Sequence, residues 1–163
     1  RFMINPRYPL GYSCMTKTPS STPSSTPSST PSNARQCFVC GPDNPVGLHL
    51  NFVLDGDICR GRFTPAETHC GFDGITHGGI IFSALDDVMA NWIVLQGMQA
   101  FTAKVDLRYK SSLPTGTPVT LEGRCLSARG RLMRMQGRML RADNGKLVAE
   151  CDASFMKAEA SPT

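Results

Sequence analysis

A chain of 163 residues has room for one domain of the usual size, roughly 100–150 residues. With 40% hydrophobic and 18% charged residues, the composition is that of a globular chain, and no run approaches the roughly 18–20 consecutive apolar residues expected of a membrane span. The formal charge of +4 sits at one end. Arg1, Arg7, Lys17 and Arg35 stand in the first 36 residues without an acid, and from Cys37 onward 13 cations meet 13 acids. A neutral body argues against a nucleic-acid-binding domain.

Seven cysteines are an odd number, which speaks against a complete disulfide framework. Cys59, Cys125 and Cys151 fall inside apolar strand patterns, as small buried thiols do in reducing compartments. The N-terminus lacks a charged-then-apolar secretory signal. These features predict a cytoplasmic protein.

In chain order, residues 1–36 read as a disordered tail and 37–163 as the folded domain. Residues 18–32 repeat Thr-Pro-Ser-Ser with period four. Such a tract has no apolar surface whose burial offsets its ordering entropy. Met15 lies just before it, and residues 1–14 read as an upstream extension. Strands are predicted over 48–54 and 58–63, joined by Asp55-Gly56-Asp57, with Asp-Gly as a type I′ pair. His49 alternates with Leu48 and Leu50 and reads as a solvent-side strand residue.

A helix is predicted over 77–96, because Ile80, Ile81, Ala84, Leu85, Val88, Trp92 and Leu95 recur at steps of three and four. Its polar strip is narrow: Ser83, Asp86, Asp87 and Asn91. A helix this apolar needs nearly complete enclosure. Strict alternation then sets Phe101, Ala103, Val105, Leu107 and Tyr109 against Thr102, Lys104, Asp106, Arg108 and Lys110. Further strands follow around Val119, Leu121 and Cys125, over 131–141 with Met133, Met135 and Met139 on one face, and from Leu147 to Phe155. Short connections predict antiparallel neighbours among the last four strands. The class is α+β, one antiparallel sheet around one long central helix.

The segment Gly74-Ile75-Thr76-His77-Gly78-Gly79 stands where a loop becomes this helix. Glycines at a helix start let a ligand approach backbone N–H groups that lack internal partners, in the positive end of the helix dipole. An oxyanion hole requires that arrangement. Seven residues beyond Gly79, Asp86 returns to about −20° on the helical wheel, two turns along the same face. Its carboxylate costs several kcal/mol to bury unless it is paired. It is therefore either a functional group or a structural one, capping a loop or meeting an arginine at a subunit contact.

Gly74 through Trp92, centred on His-Gly-Gly-Ile-Ile-Phe-Ser-Ala-Leu-Asp-Asp, resembles the signature of the phenylacetate-pathway (PaaI-like) hotdog thioesterases. It is also similar to that of the mammalian thioesterase-superfamily members. The likeness extends upstream through Cys37-Phe38-Val39-Cys40-Gly41, Asn44-Pro45 and Gly47-Leu48, and downstream through Thr102, Tyr109, Pro114 and Gly116. It implies a hotdog fold and hydrolysis of acyl-CoA in lipid metabolism, with no cofactor and no metal. By resemblance, Asp86 is the carboxylate that activates water or attacks the thioester, and the N–H of Gly79 or Gly78 is the oxyanion donor. Thr102 is the hydroxyl that orients the water or the acid. The resemblance also implies a homodimer or homotetramer with its active site at the dimer interface. One position departs from the pattern: many members carry Asn or Gln where this chain has Gly71.

Other candidates surround this set. His77 either orients the loop or acts as base, and the helix start disfavours its cationic form. His69 and Ser83 are candidates to line the pocket. Arg108 and Lys110, with Arg129 and Arg131, either meet the CoA phosphates or simply face solvent. Cys37-x-x-Cys40 has zinc-ligand spacing without a second matching pair, so it reads as zinc binding or local packing. The competing functions are a hotdog hydratase or dehydratase, whose His-centred loop motif is missing here, a non-hydrolytic acyl-CoA binding protein, and an oligomerising scaffold.

Overall fold

The computed structural model describes residues 34–158; the Thr-Pro-Ser-Ser tract, the predicted tail up to residue 33 and Cys14 lie outside them. Residues 34–36, assigned to the tail by sequence, already make contacts, for the Arg35 side chain pairs with Asp43 at 2.6 Å. The first strands form a hairpin, β1 (Phe52–Asp55) and β2 (Ile58–Phe63). Asp55 pairs with Ile58, so the turn is Gly56-Asp57, and Gly56 has φ +58° while no positive φ falls on Asp57. Glycine at the first central position suits a type II′ turn, which replaces the predicted Asp-Gly type I′ pair.

Residues 48–51, predicted as strand, are not. Leu48 and Leu50 donate their N–H groups to the carbonyls of Phe38 (2.8 Å) and Val39 (2.9 Å). Between them His49 takes φ +52°, and its Nδ1 lies 3.1 Å from the Gly41 carbonyl. The His49 ring thus braces the preceding loop instead of facing solvent from a strand.

After β2 come a short 3-10 turn (Glu67–His69) and a two-stranded ribbon, β3 (Cys70–Phe72) and β4 (Ile75–Thr76). The sequence read this stretch as loop. Helix α1 (Gly78–Leu95) follows, within the predicted 77–96, with His77 as N-cap and Gln96 as C-cap. Then come β5 (Ala100–Tyr109), β6 (Val119–Arg129), β7 (Leu132–Arg141) and β8 (Leu147–Lys157). The main sheet has the order β1-β2-β6-β7-β8-β5, with every pair antiparallel. The last four strands are therefore not a simple meander. β5 pairs with β8 and forms the far edge, while β6 turns back to join β2.

The sheet curls around α1, whose Ile81, Ala84, Leu85, Val88, Met89, Trp92 and Ile93 are buried against Leu121, Met133, Met135, Met139 and Phe155. Burying each large side chain contributes about 1.5–3 kcal/mol. By length and composition α1 could cross a membrane, although Asp86 and Asp87 interrupt its apolar run; enclosure by the sheet accounts for its apolarity. Two glycines set how closely the helix lies. Gly123 and Gly137 face each other across β6 and β7. A Cβ at Gly123 would stand 2.6 Å from the Val88 carbonyl oxygen, and one at Gly137 3.2 Å from that of Leu85. The helix backbone rests on this pair with no side chain between. This layout, six antiparallel strands wrapped on one long helix, is the hotdog fold.

Candidate active site

The start of α1 is organised by His77. Its Nδ1 accepts the N–H of Gly79 at 2.9 Å, a side-chain N-cap that satisfies one of the orphan donors. Nδ1 is then an acceptor, and in the neutral ring the proton sits on Nε2. Between the two roles read from sequence, this geometry is the orienting one. It also separates the two glycines. The Gly79 N–H is taken, whereas the Gly78 N–H has no partner among the described hydrogen bonds. The Gly78 carbonyl accepts the Tyr109 hydroxyl at 2.8 Å, and a Cβ at Gly78 would meet that oxygen at 3.0 Å. Gly71 has a steric reason as well: its Cβ would fall 3.0 Å from His77 Cδ2 and 3.2 Å from His77 Cα.

Two turns along α1, Asp86 Oδ1 accepts the Thr102 hydroxyl at 2.8 Å. Strict alternation places Thr102 on the face of Lys104 and Arg108, away from the helix. A β-bulge reverses that. Thr102 pairs with Phe155 and Lys104 with Ser154, so Ala103 is the extra residue. Thr102 consequently shares the helix side with Val105, Leu107 and Tyr109. Burial pushes the Asp86 carboxyl above its usual range, opposed by the Thr102 hydrogen bond.

Beside the helix start lies an open cavity of about 360 Å³, with Thr76, Gly78, Ile81, Tyr109, Lys110 and Leu113 among its walls. Thr76 is 5% exposed, and its Oγ1 is buried without a hydrogen-bond partner. A buried hydroxyl in that state costs free energy until something polar meets it. Asp86 and Thr102 are not among the walls. The sequence reading gave no role to Thr76 or to the Tyr109 hydroxyl. Their only signal was position: one precedes His-Gly-Gly, the other ends an alternating strand.

The remaining candidates separate. His69 Nδ1 accepts the Ala66 N–H at 3.0 Å, its ring centroid is 5.7 Å from that of Phe63, and its carbonyl accepts the His77 N–H at 2.8 Å. It supports the loop under His77. The Ser83 hydroxyl donates to the Gly79 carbonyl at 2.8 Å. Lys110 Nζ pairs with Glu150 at 3.0 Å at the cavity wall. Arg108 lies on the other face of the sheet and pairs with Asp106 at 3.1 Å, so it is not brought to the helix start. Arg131 Nε donates to the Lys157 carbonyl at 3.2 Å.

The sequence model of the Thioesterase superfamily matches residues 73–148, the stretch holding the helix and the Asp86–Thr102 pair. Among solved structures, a thioesterase superfamily protein is 28% identical with a TM-score of 0.70, covering 75% of this chain and 63% of its own. This chain thus spans less than two thirds of that protein. A hypothetical thioesterase from Streptococcus pneumoniae TIGR4, solved with coenzyme A, is 14% identical with a TM-score of 0.63, covering 67% of this chain and 88% of its own. Zebrafish thioesterase superfamily member 2 is 16% identical with a TM-score of 0.64, covering 77% and 93%. No curated protein sequence matches. The family model thus covers just under half of this chain, from the helix start into the last strand.

Proposed function

We propose that this protein is a thioesterase-superfamily member that hydrolyses acyl-CoA thioesters, in the manner of the PaaI-like hotdog enzymes it resembles. The observation that carries the reading is the Asp86–Thr102 hydrogen bond of 2.8 Å. It holds a carboxylate, already made more basic by burial, at one fixed rotamer on the helix that begins with the glycine pair. Asp86 takes a proton from water as the water attacks the thioester carbonyl, and Thr102 fixes the acceptor oxygen. The oxyanion that develops meets the Gly78 N–H, since the Gly79 N–H is held by His77. Support comes also from the pneumococcal relative, which has been solved with coenzyme A and as Asp→Ala and Thr→Ala variants sixteen positions apart. Asp86 and Thr102 have the same spacing.

The glycine cavity does not include Asp86, and β5 is a sheet edge. Phe101 is 64% exposed on that edge and Tyr109 52%. A ten-residue edge with exposed aromatics invites pairing with a second copy. The reading therefore makes the enzyme a homodimer at least, in which the Gly78 N–H of one copy serves the Asp86 of the other.

The test is a thiol-release screen over short, medium, long and aryl acyl-CoAs, with the wild type and Asp86→Asn. Hydrolysis of at least one class that disappears in the variant is the expected result. A wild type that binds acyl-CoA without releasing thiol would make it a carrier instead.

A further inference from the structure

Cys37-Phe38-Val39-Cys40-Gly41 folds as a closed knuckle. The Gly41 N–H donates to the Cys37 carbonyl at 2.9 Å. A Cβ at Gly41 would fall 2.4 to 2.6 Å from Cys37 N, Cys37 O and Arg35 O, so only glycine closes this turn. The Val39 N–H points at Cys37 Sγ, 3.4 Å away, which fixes the position of that sulfur.

Both thiols are turned onto α1. Cys37 Sγ lies 3.8 Å from Asp87 Oδ1, and Asn91 Nδ2 lies 3.8 Å from Cys40 Sγ and 3.0 Å from Asp87 Oδ2. One donor atom from each of Cys37, Cys40 and Asp87 fits within 4.8 Å of the others. Asn91 is buried. The spacing of the two cysteines lacks a second Cys or His pair in the sequence, and the fold supplies the missing donor from a helix fifty residues away.

We propose that Cys37, Cys40 and Asp87 form a binding site for a divalent soft metal ion of the zinc class, with water as fourth ligand. Two thiolates select zinc over magnesium or calcium. With Zn–S near 2.3 Å and Zn–O near 2.0–2.2 Å, the tetrahedral edges are about 3.5–3.8 Å, so donors within 4.8 Å of one another need to close by about 1.3 Å at most. Asn91 donates to the Cys40 sulfur and the Asp87 carboxylate, the outer support that metal ligands commonly have. On binding, the two thiols release their protons to solvent and the ion takes the sulfur lone pairs, with no change of oxidation state. The site would clamp the N-terminal loop to α1 at the residue next to Asp86. Two small thiols packed over a helix, with no ion, are the alternative.

The full chain, reduced and stripped with chelator, is titrated with zinc against a chromogenic competitor, and separately with cobalt(II). One zinc per chain and thiolate-to-cobalt charge-transfer absorption are expected. Both should vanish in Cys37→Ser and Cys40→Ser and persist in Cys70→Ser, whose exposed thiol lies outside the cluster. Asp87→Asn should bind at least tenfold more weakly. If the serine variants do not fold, alkylation of the wild type with peptide mapping decides: zinc should protect Cys37 and Cys40 and leave Cys70 reactive. Absence of cobalt bands, unchanged zinc binding in Cys40→Ser, or equal alkylation with and without zinc overturns the proposal. These readouts are independent of thioester hydrolysis.

Discussion

Replacing Asp86 with asparagine keeps the side chain's shape and an oxygen to accept the Thr102 hydroxyl, and removes only the capacity to take a proton. A general base contributes about 10²–10⁴ in rate, so the variant should lose roughly 2.7–5.5 kcal/mol of transition-state stabilisation. KM should change little, because the carboxylate acts on water. The assay is thiol release from the best acyl-CoA of the screen, followed across pH. Burial raises the Asp86 carboxyl above its ordinary value of 3.8, so the acid limb of kcat/KM in the wild type should lie above the usual carboxylate range. Thr102→Val removes the bond that opposes this shift and should move the limb further toward alkaline pH. Stability has the opposite slope. A raised carboxyl binds its proton more tightly when folded, so its contribution is present below 3.8 and is lost as pH rises through the raised value. Asp86→Asn should therefore be more stable than wild type at neutral pH, with the gap closing at acid pH in urea denaturation. Retained hydrolysis by Asp86→Asn would refute the assignment of the base. A variant less stable than wild type at neutral pH would refute the burial argument.

Tyr109→Phe removes the hydrogen bond to the Gly78 carbonyl, typically worth about 0.5–1.5 kcal/mol. It should lower kcat with little change in the urea midpoint, since Tyr109 is exposed. Gly123→Ala drives a methyl against the Val88 carbonyl and should cost about 1–3 kcal/mol, read as a lower urea midpoint at unchanged m-value. Phe101→Asp places a charge on the β5 edge. It should shift the protein toward monomer in light scattering and reduce hydrolysis in parallel; monomers with full activity would refute the shared site.

Periodicity made the central helix legible, because an apolar stripe at steps of three and four needs enclosure whatever surrounds it. Its start at His77 was legible too, since only a loop-to-helix boundary makes use of consecutive glycines there. Of the strands of the second half, β5, β7 and β8 came out within two residues from their alternation, whereas β6 runs four residues beyond Cys125. Thr102 was found by resemblance, not by pattern: alternation alone puts it on the wrong face. The bulge at Ala103 corrects that, and a bulge is a product of strand pairing with no mark in the strand's own composition. Leu48 to Asn51 show the reverse error. They alternate like a strand, yet their backbone partners are in the cysteine knuckle, and His49 turns the chain there through a left-handed conformation.

By itself, then, the sequence determined the local elements, the glycine-opened helix and the acid on its face, because each depends on neighbours a few residues away. The tertiary structure decided which strand lies at the sheet edge and which glycine N–H is left open. It also decided that Asp86 meets Thr102 while Asp87 meets Cys37, fifty residues upstream, and its neighbour Cys40. Adjacent residues on a helix point about 100° apart, so Asp86 and Asp87 reach different surroundings, and only the sheet and loop packed on either side give each carboxylate its chemistry.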